Sequence, residues 1–242
     1  MNDKLSYVNK STLVASYDSK NDTVNRVRVE RKDLEKDIVL DKLPEEKEKE
    51  FSSTYVAYAM SSHNGILADD ELDQKVVYGL YGISASDVFA VSPTDEQKKQ
   101  AGLDDPDCTV TMVSNEDTVT KLSIGSAVYN VTKNEETGEE IKTITGYYGM
   151  LSDKDAIYVF SPDDLPWLTV TPEGILYKLF LTPYIYYLDG VTIYDSDRKA
   201  YDFKIVGDAD NASFSYDGKE VDAAKFKSFY QYLLSAYAEQ IY

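Results

Sequence analysis

Short stretches in which apolar and polar side chains alternate run through most of this chain. In residues 24–29, valines and arginines fall on opposite faces, which is the pattern of a half-buried β-strand. Similar patterns predict strands at residues 12–15, 51–60, 87–91, 108–113, 118–124, 128–132, 141–148, 157–160, 184–188, 191–194, 201–206 and 212–216. Short turns separate many of them, including an Asp189-Gly190 dipeptide that suits a two-residue hairpin. We therefore expect mainly antiparallel sheets.

Two segments have the three- and four-residue apolar spacing of an amphipathic helix. The first covers residues 69–83, where Asp69 or Asp70 can cap the first turn. The second begins at Asp222 and has the clearer pattern. Its apolar stripe consists of Phe226, Phe229, Tyr230, Leu233, Leu234 and Tyr237. We expect both helices to pack against the sheets.

The two helices align when the sequence is shifted so that Asp69 falls on Asp222 and Val76 on Phe229. Two amphipathic helices can align by chance, but here each follows a strand region. The pattern therefore favours an α+β fold in which two similar strand-helix units flank a module of hairpins. The expected domains are residues 1–91, 92–182 and 183–242, and the last is expected to be cut short relative to the first.

Composition and charge exclude several classes of function. The chain has 242 residues, 43% of them hydrophobic, which is enough for a buried core. Its net charge of −18 predicts no binding to nucleic acid or to an anionic membrane surface. No apolar run approaches the roughly 20 residues of a membrane span, and residues 1–10 lack the apolar region of a signal peptide. A cytoplasmic protein and one exported by a segment outside this sequence both remain open.

Residue types that carry catalysis are sparse. His63 is the only histidine and Cys108 the only cysteine, so a Cys-His pair would have to join these two. A zinc site needs three or four ligands of these kinds or carboxylates. We therefore expect no enzymatic activity, no metal and no cofactor.

Two clusters of aspartates are more typical of turns than of metal sites. Asp104, Asp105 and Asp107 surround Pro106, and Asp195 lies close to Asp197. Neither cluster has the carboxylate spacing of a calcium-binding loop, and aspartate favours turns because its side chain accepts hydrogen bonds from nearby N–H groups. The first cluster is predicted to form a corner between a short helix over residues 94–101, ended by Gly102, and the strand that begins at Cys108.

Aromatic residues are dense in the second half of the chain. They include Tyr147, Tyr148, Tyr184, Tyr186, Tyr187, Tyr194, Tyr201 and Trp167. Tyrosine is common in strands with its ring buried and its hydroxyl in water, and we favour that interpretation. Exposed rings would instead stack on sugars or form a protein-binding patch. For that case Tyr184, Tyr186 and Trp167 are the candidate binding residues.

Three stretches, KKQAGLDDPDCTVTM, LSIGSAV and GYYGMLSDKDAIYVF, resemble an uncharacterised bacterial family catalogued as domain of unknown function 4340. Shared features are a Gly-Leu-Asp-x-Pro corner, a strand, an Ile-Gly turn and a Tyr-Tyr strand. The closing stretch YDGKEVDAAKFKSFYQYLLSAYAEQI is similar to the helix region of that family. The resemblance covers residues 76–242 and is interrupted by a long insertion at residues 130–144.

The resemblance implies a non-enzymatic, extracytoplasmic binding or scaffold domain, tethered to the cell membrane by a segment outside this sequence. It implies a protein partner in the cell envelope, such as an ABC-type transporter, and brings no catalytic residues. A carbohydrate-binding module that uses exposed Tyr and Trp side chains is the alternative. An enzyme with paired carboxylates is a third possibility, and it predicts two acids in a pocket with perturbed pKa values.

Overall fold

Two antiparallel β-sheets make up most of the secondary structure in the computed structural model, which describes residues 8–50, 56–68, 75–134, 137–177, 185, 188–207 and 211–235. The chain divides into two compact units, Met1–Tyr177 and Lys178–Tyr242.

Within the described residues, the first unit contains nine strands, two short α-helices and a helical turn at residues 75–78. The strands are β1 (Val24–Arg31), β2 (Ile38–Lys42), β3 (Tyr58–Met60), β4 (Ile66–Leu67), β5 (Asp87–Val91), β6 (Cys108–Ser114), β7 (Thr118–Lys133), β8 (Glu140–Leu151) and β9 (Ala156–Phe160). The helices are α1 (Glu45–Glu50) and α2 (Asp95–Gln100). The strands form one sheet in the order β4-β3-β2-β1-β6-β7-β8-β9-β5, with every pair antiparallel.

Strand β1 shows why the alternating pattern produces this sheet. Val27 and Val29 are buried, whereas Arg26 and Arg28 point to the solvent face. Arg28 pairs there with Asp37 at 2.6 Å. Because exposed ion pairs contribute roughly 0–1 kcal/mol, the burial of the valines determines which face points inward. The predicted alternation in residues 24–29 is confirmed.

The second unit contains a four-stranded sheet covered on one face by a helix. Its elements are β10 (Gly190–Tyr194), β11 (Ala200–Val206), β12 (Ser213–Tyr216), β13 (Lys219–Val221) and α3 (Ala223–Leu234). Asp222 caps α3 by accepting a hydrogen bond from the Lys225 N–H at 2.9 Å. Phe226 of α3 stacks on Phe214 of β12 with ring centroids 4.7 Å apart. The prediction of an amphipathic helix that begins at Asp222 is confirmed over the described residues.

The predicted α+β class is wrong, because the protein is mostly β, with 42% strand against 19% helix. In the predicted helix at 69–83, residues 75–78 are helical and residues 79–82 form turns, while residues 69–74 lie outside the described part. Gly79 and Gly82 favour this early end, and Gly82 has a φ of +69°, which a helix does not allow. The predicted hairpin module is also not separate, since its strands share one sheet with β1–β4.

The first strand of the expected hairpin around Asp189-Gly190 lies largely outside the described residues, which include only Ile185 and Leu188 of it. Ile185 lies in a 3₁₀ turn, and β10 pairs with the strand that follows it, β11. The turn between these two strands is closed by Asp195, whose Oδ1 accepts hydrogen bonds from the N–H groups of Asp197 and Lys199 at 3.0 and 2.9 Å. A side-chain cap on this turn therefore stabilises the pairing of β10 with β11. It also gives the Asp195 cluster its predicted turn role.

Candidate binding surfaces

The aromatic residues selected from the sequence do not form an exposed surface in the described part of the chain. Tyr184 and Tyr186 lie outside the described residues. Trp167 is fully buried in the first unit, and its Nε1–H donates to the carbonyl oxygen of Val76 at 2.8 Å. Its indole therefore belongs to the core and offers no ring face to a ligand.

A buried arginine holds the segment that carries Trp167. The side chain of Arg31 is 8% exposed, and its Nη1 donates to the carbonyl oxygens of Trp167 and Val170 at 2.7 and 2.8 Å. The buried position of Arg31 was not predicted from the sequence, because a basic residue at the end of an alternating strand is expected to face solvent. Its position after Val29 on the buried face of β1 was the available signal.

The aspartate corner precedes β6 and contacts Lys32, the residue that follows β1. Lys32 Nζ lies 2.9 Å from Asp105 Oδ2 and 3.1 Å from Asp107 Oδ1, and these hydrogen bonds raise the pKa of Lys32. Before the corner, Gly102 has a φ of +69°, and its N–H and that of Leu103 donate to α2 carbonyls, which ends the helix. The prediction of a corner after a helix ended by Gly102 is confirmed.

His63 and Cys108 lie on different elements. His63 ends a 3₁₀ turn, and its Nδ1 is 2.9 Å from Ser62 Oγ. Burial, followed by the charge of Lys36, lowers the pKa of this imidazole. Cys108 is fully buried at the start of β6, and burial raises the pKa of its thiol to about 12.

We expect Cys108 in the native protein to resist alkylation by iodoacetamide at pH 8, because the thiolate is the reactive form. Unfolding in urea should expose the thiol and allow complete labelling, which mass spectrometry measures. The stability that the neutral thiol contributes should be present below its ordinary pKa of 9.0 and be lost as the pH rises toward 12. Rapid labelling of the native protein would contradict the buried position.

Neither a metal cluster nor a membrane-spanning helix occurs within the described residues. No group of three or more His, Cys, Asp or Glu side chains is placed to hold a metal ion there. In the same part of the chain, no helix is long and apolar enough to cross a membrane.

A two-stranded ribbon extends beyond the rest of the first sheet. We define it as the paired segments Tyr129–Lys133 of β7 and Glu140–Ile144 of β8. Strand β6 pairs with β7 over residues 118–124, and β9 pairs with β8 over residues 147–149, so both neighbours stop before the ribbon. Gly138, with a φ of +71°, lies in the connecting turn as the sequence predicts.

Apolar side chains lie on the surface of this ribbon. Tyr129 is 53% exposed and Val131 50%, and on the paired strand Ile144 is 41% exposed. Tyr129 lies opposite Ile144, and Val131 lies opposite Lys142 two positions further, so these residues share one face. Thr132 and Ile141 are paired on the other face.

Comparison with protein-family models, with curated proteins and with solved structures finds no match to this chain. The family resemblance of the quoted motifs therefore stays a prediction.

Other exposed tyrosines in the described part of the chain are dispersed. Tyr17 is 40% exposed and packs on Tyr78 and Tyr81, with ring centroids 4.6 and 5.3 Å away. Tyr194 on β10 and Tyr232 on α3 are 67% and 75% exposed. They occupy opposite sides of the second unit, since Tyr194 points to the face of the sheet that α3 leaves uncovered.

A groove of about 350 Å³ in the first unit brings two adjacent acids to the surface. Asp163 and Asp164 line it together with Lys75 and Tyr81. Burial raises the pKa of the Tyr81 hydroxyl. The groove therefore combines a cation, two carboxylates and a protonated phenol, without an imidazole or a thiol among its lining residues.

Proposed function

We propose that this protein is a non-enzymatic binding or scaffold domain that engages a protein partner through the β7–β8 ribbon. The exposed apolar face formed by Tyr129, Val131 and Ile144 carries this proposal. An isolated two-stranded hairpin is at best marginally stable in water. A ribbon that presents apolar side chains on such a support is typical of a surface completed by a partner.

The composition of the ribbon supports a protein as the ligand. The apolar face is followed by Lys133 opposite Glu140, so charges of both signs border it. Apolar centres with a polar rim are typical of protein interfaces. Because about half of each residue's surface is already buried, complete burial of Tyr129, Val131 or Ile144 would each contribute roughly 1 kcal/mol before the costs of association.

The family resemblance supports an extracytoplasmic location, a tether to the cell membrane and an envelope partner such as an ABC-type transporter. The ribbon coincides with the insertion at residues 130–144, where this chain departs from the family pattern. A partner bound there would thus be specific to this protein. Its net charge of −18 is consistent with a partner other than nucleic acid or an anionic lipid surface.

A comparative capture experiment tests the proposal. The wild-type protein and a Tyr129→Ser, Val131→Thr, Ile144→Thr variant are immobilised and exposed to detergent-solubilised envelope from the source cells. We expect the variant to capture at least about tenfold less of the specific partner than the wild-type protein does. A loss of about 1.4 kcal/mol of binding free energy is enough for this factor. A variant with Asn130→Ala and Thr143→Ala changes the opposite face of the ribbon and should retain the partner.

Two outcomes would overturn the proposal. One is equal capture by the wild-type protein and the apolar-face variant, with circular dichroism showing that both are folded. The other is specific binding on a glycan array that is lost with Tyr184→Ala or Tyr186→Ala. The second result would establish the carbohydrate-binding alternative instead.

A further inference from the structure

Among the described residues, strand β10 is an edge strand without the usual protection against pairing. Exposed edges are templates for strand addition, and proteins protect them with charges, proline, bulges or short length. Strand β10 consists of Gly190, Val191, Thr192, Ile193 and Tyr194, none of them charged. Its pairing with β11 is regular over all five residues.

The other three outermost strands of the two sheets have such protection. Strand β4 is two residues long, and β13 carries Lys219 and Glu220 in its three residues. Strand β5 begins with Asp87 and has a register shift between Val88 and Ala90. The absence of protection on β10 indicates that this edge is covered in the functional protein.

The first unit shows how such an edge is covered. Strands β1–β4 form a meander in chain order, and so do strands β10–β13. Strand β1 is the first strand of its meander, and β10 holds the same position in the second one. The outer edge of β1 pairs antiparallel with β6 over residues 24–31. On β10, no strand within the described residues occupies the corresponding edge.

The outward hydrogen-bonding groups of β10 are centred on one residue. The Asp189 carbonyl accepts a hydrogen bond from the Ile205 N–H at 2.9 Å, so Asp189 faces β11. Because successive residues of an antiparallel strand alternate between its two edges, Gly190, Thr192 and Tyr194 direct their N–H and C=O groups outward. Thr192 is the middle of the three.

We propose that β10 pairs antiparallel with β10 of a second copy of this chain, about a two-fold axis at Thr192. Gly190 of one copy then lies opposite Tyr194 of the other, and Val191 lies opposite Ile193. Each apolar side chain meets another, the two threonines meet on the axis, and the exposed ring of Tyr194 covers a glycine. The sequence of β10 is therefore complementary to itself, as an isologous interface requires.

The second sheet becomes eight-stranded in this arrangement, with α3 of each copy on the same face. Val191 already packs against the apolar cluster between the sheet and α3, which consists of Ile205, Phe214, Phe226 and Tyr230. Pairing extends this apolar layer across the axis. The same register places Asp189 of each copy opposite Asp195 of the other. Their repulsion predicts an association that strengthens with added salt.

Sedimentation equilibrium of the full chain tests the proposal. We expect the mass to rise with concentration from 27.3 kDa to about twice that value, and more readily at high salt. Thr192→Pro removes an outward N–H that β11 does not use, and it should weaken association by at least about tenfold. Thr192→Val is the matched control, because it loses the same hydrogen bond to Asp202 (2.7 Å) but keeps the N–H and should still associate.

Hydrogen exchange identifies what covers the edge. The amides of Gly190, Thr192 and Tyr194 should gain protection as the protein concentration rises, and Thr192→Pro should abolish this gain at the other two. A monomer at every concentration and salt would overturn the proposal, as would a dimer that Thr192→Pro leaves unchanged. Protection already complete in the monomer would also overturn it, by showing that the chain covers its own edge.

Discussion

Replacement of Trp167 by alanine is expected to lower the free energy of unfolding of the first unit by about 4 kcal/mol. The indole is fully buried, and it is the largest of the fully buried side chains in the described part of the chain. It packs against Gly79, where even an added Cβ would lie 2.9 Å from Cζ2 of the ring. Alanine would therefore leave a cavity at a tightly packed contact, and the Val76 carbonyl would lose its donor.

Urea denaturation followed by circular dichroism measures this effect. Trp167→Phe is the control, since it keeps most of the ring and removes the N–H donor, and we expect a loss of roughly 1–3 kcal/mol. The difference between the two variants separates packing from hydrogen bonding. A Trp167→Ala protein within about 1 kcal/mol of wild type would contradict a core position for the indole.

Local patterns were sufficient to predict individual elements. Alternation in residues 24–29 predicts both the strand β1 and its buried face. The capping aspartate and apolar spacing predict α3 from Asp222, and Gly102 predicts the end of α2. At the start of α3 and the end of α2, the decisive interactions join residues only a few positions apart, so the sequence pattern contains them.

Long-range pairing was the part that local patterns could not supply. Strand β5 pairs with β9 across more than sixty residues, which brings Asp87 opposite Val159 and removes the expected boundary after residue 91. Gly125 suggested a turn, but it lies within β7, where a Cβ would be 2.1 Å from the Ala101 carbonyl oxygen. A glycine required for close approach inside a strand resembles a turn glycine in sequence.

The same limit applies to the candidate surfaces. The strand predictions at residues 128–132 and 141–148 locate both sides of the ribbon. Tyr129 and Val131 are exposed because the neighbouring strands β6 and β9 stop pairing before the ribbon begins. The sequences of the ribbon strands do not reveal where their neighbours stop. Trp167 was a candidate binding residue only for the case of exposed rings, and the contacts with Val76 and Gly79 that bury it come from a distant part of the chain. A sequence pattern gives the face of a strand, and the pairing decides whether that face is covered.

Arg31→Met is expected to lower the free energy of unfolding by about 3 kcal/mol, because it leaves the carbonyl oxygens of Trp167 and Val170 without their donor. Arg31→Lys should restore only part of the loss, since a single ammonium group lacks the planar geometry of guanidinium. Asp33→Asn is the control for the charge. Arg31 lowers the pKa of Asp33 through a side-chain hydrogen bond, but this carboxylate is 67% exposed, so we expect little change in the free energy of unfolding. Urea denaturation of the three variants distinguishes the two contributions. Equal losses in Arg31→Met and Asp33→Asn would show that the ion pair, and not the hydrogen bonds to the two carbonyl groups, holds the Trp167 segment against β1.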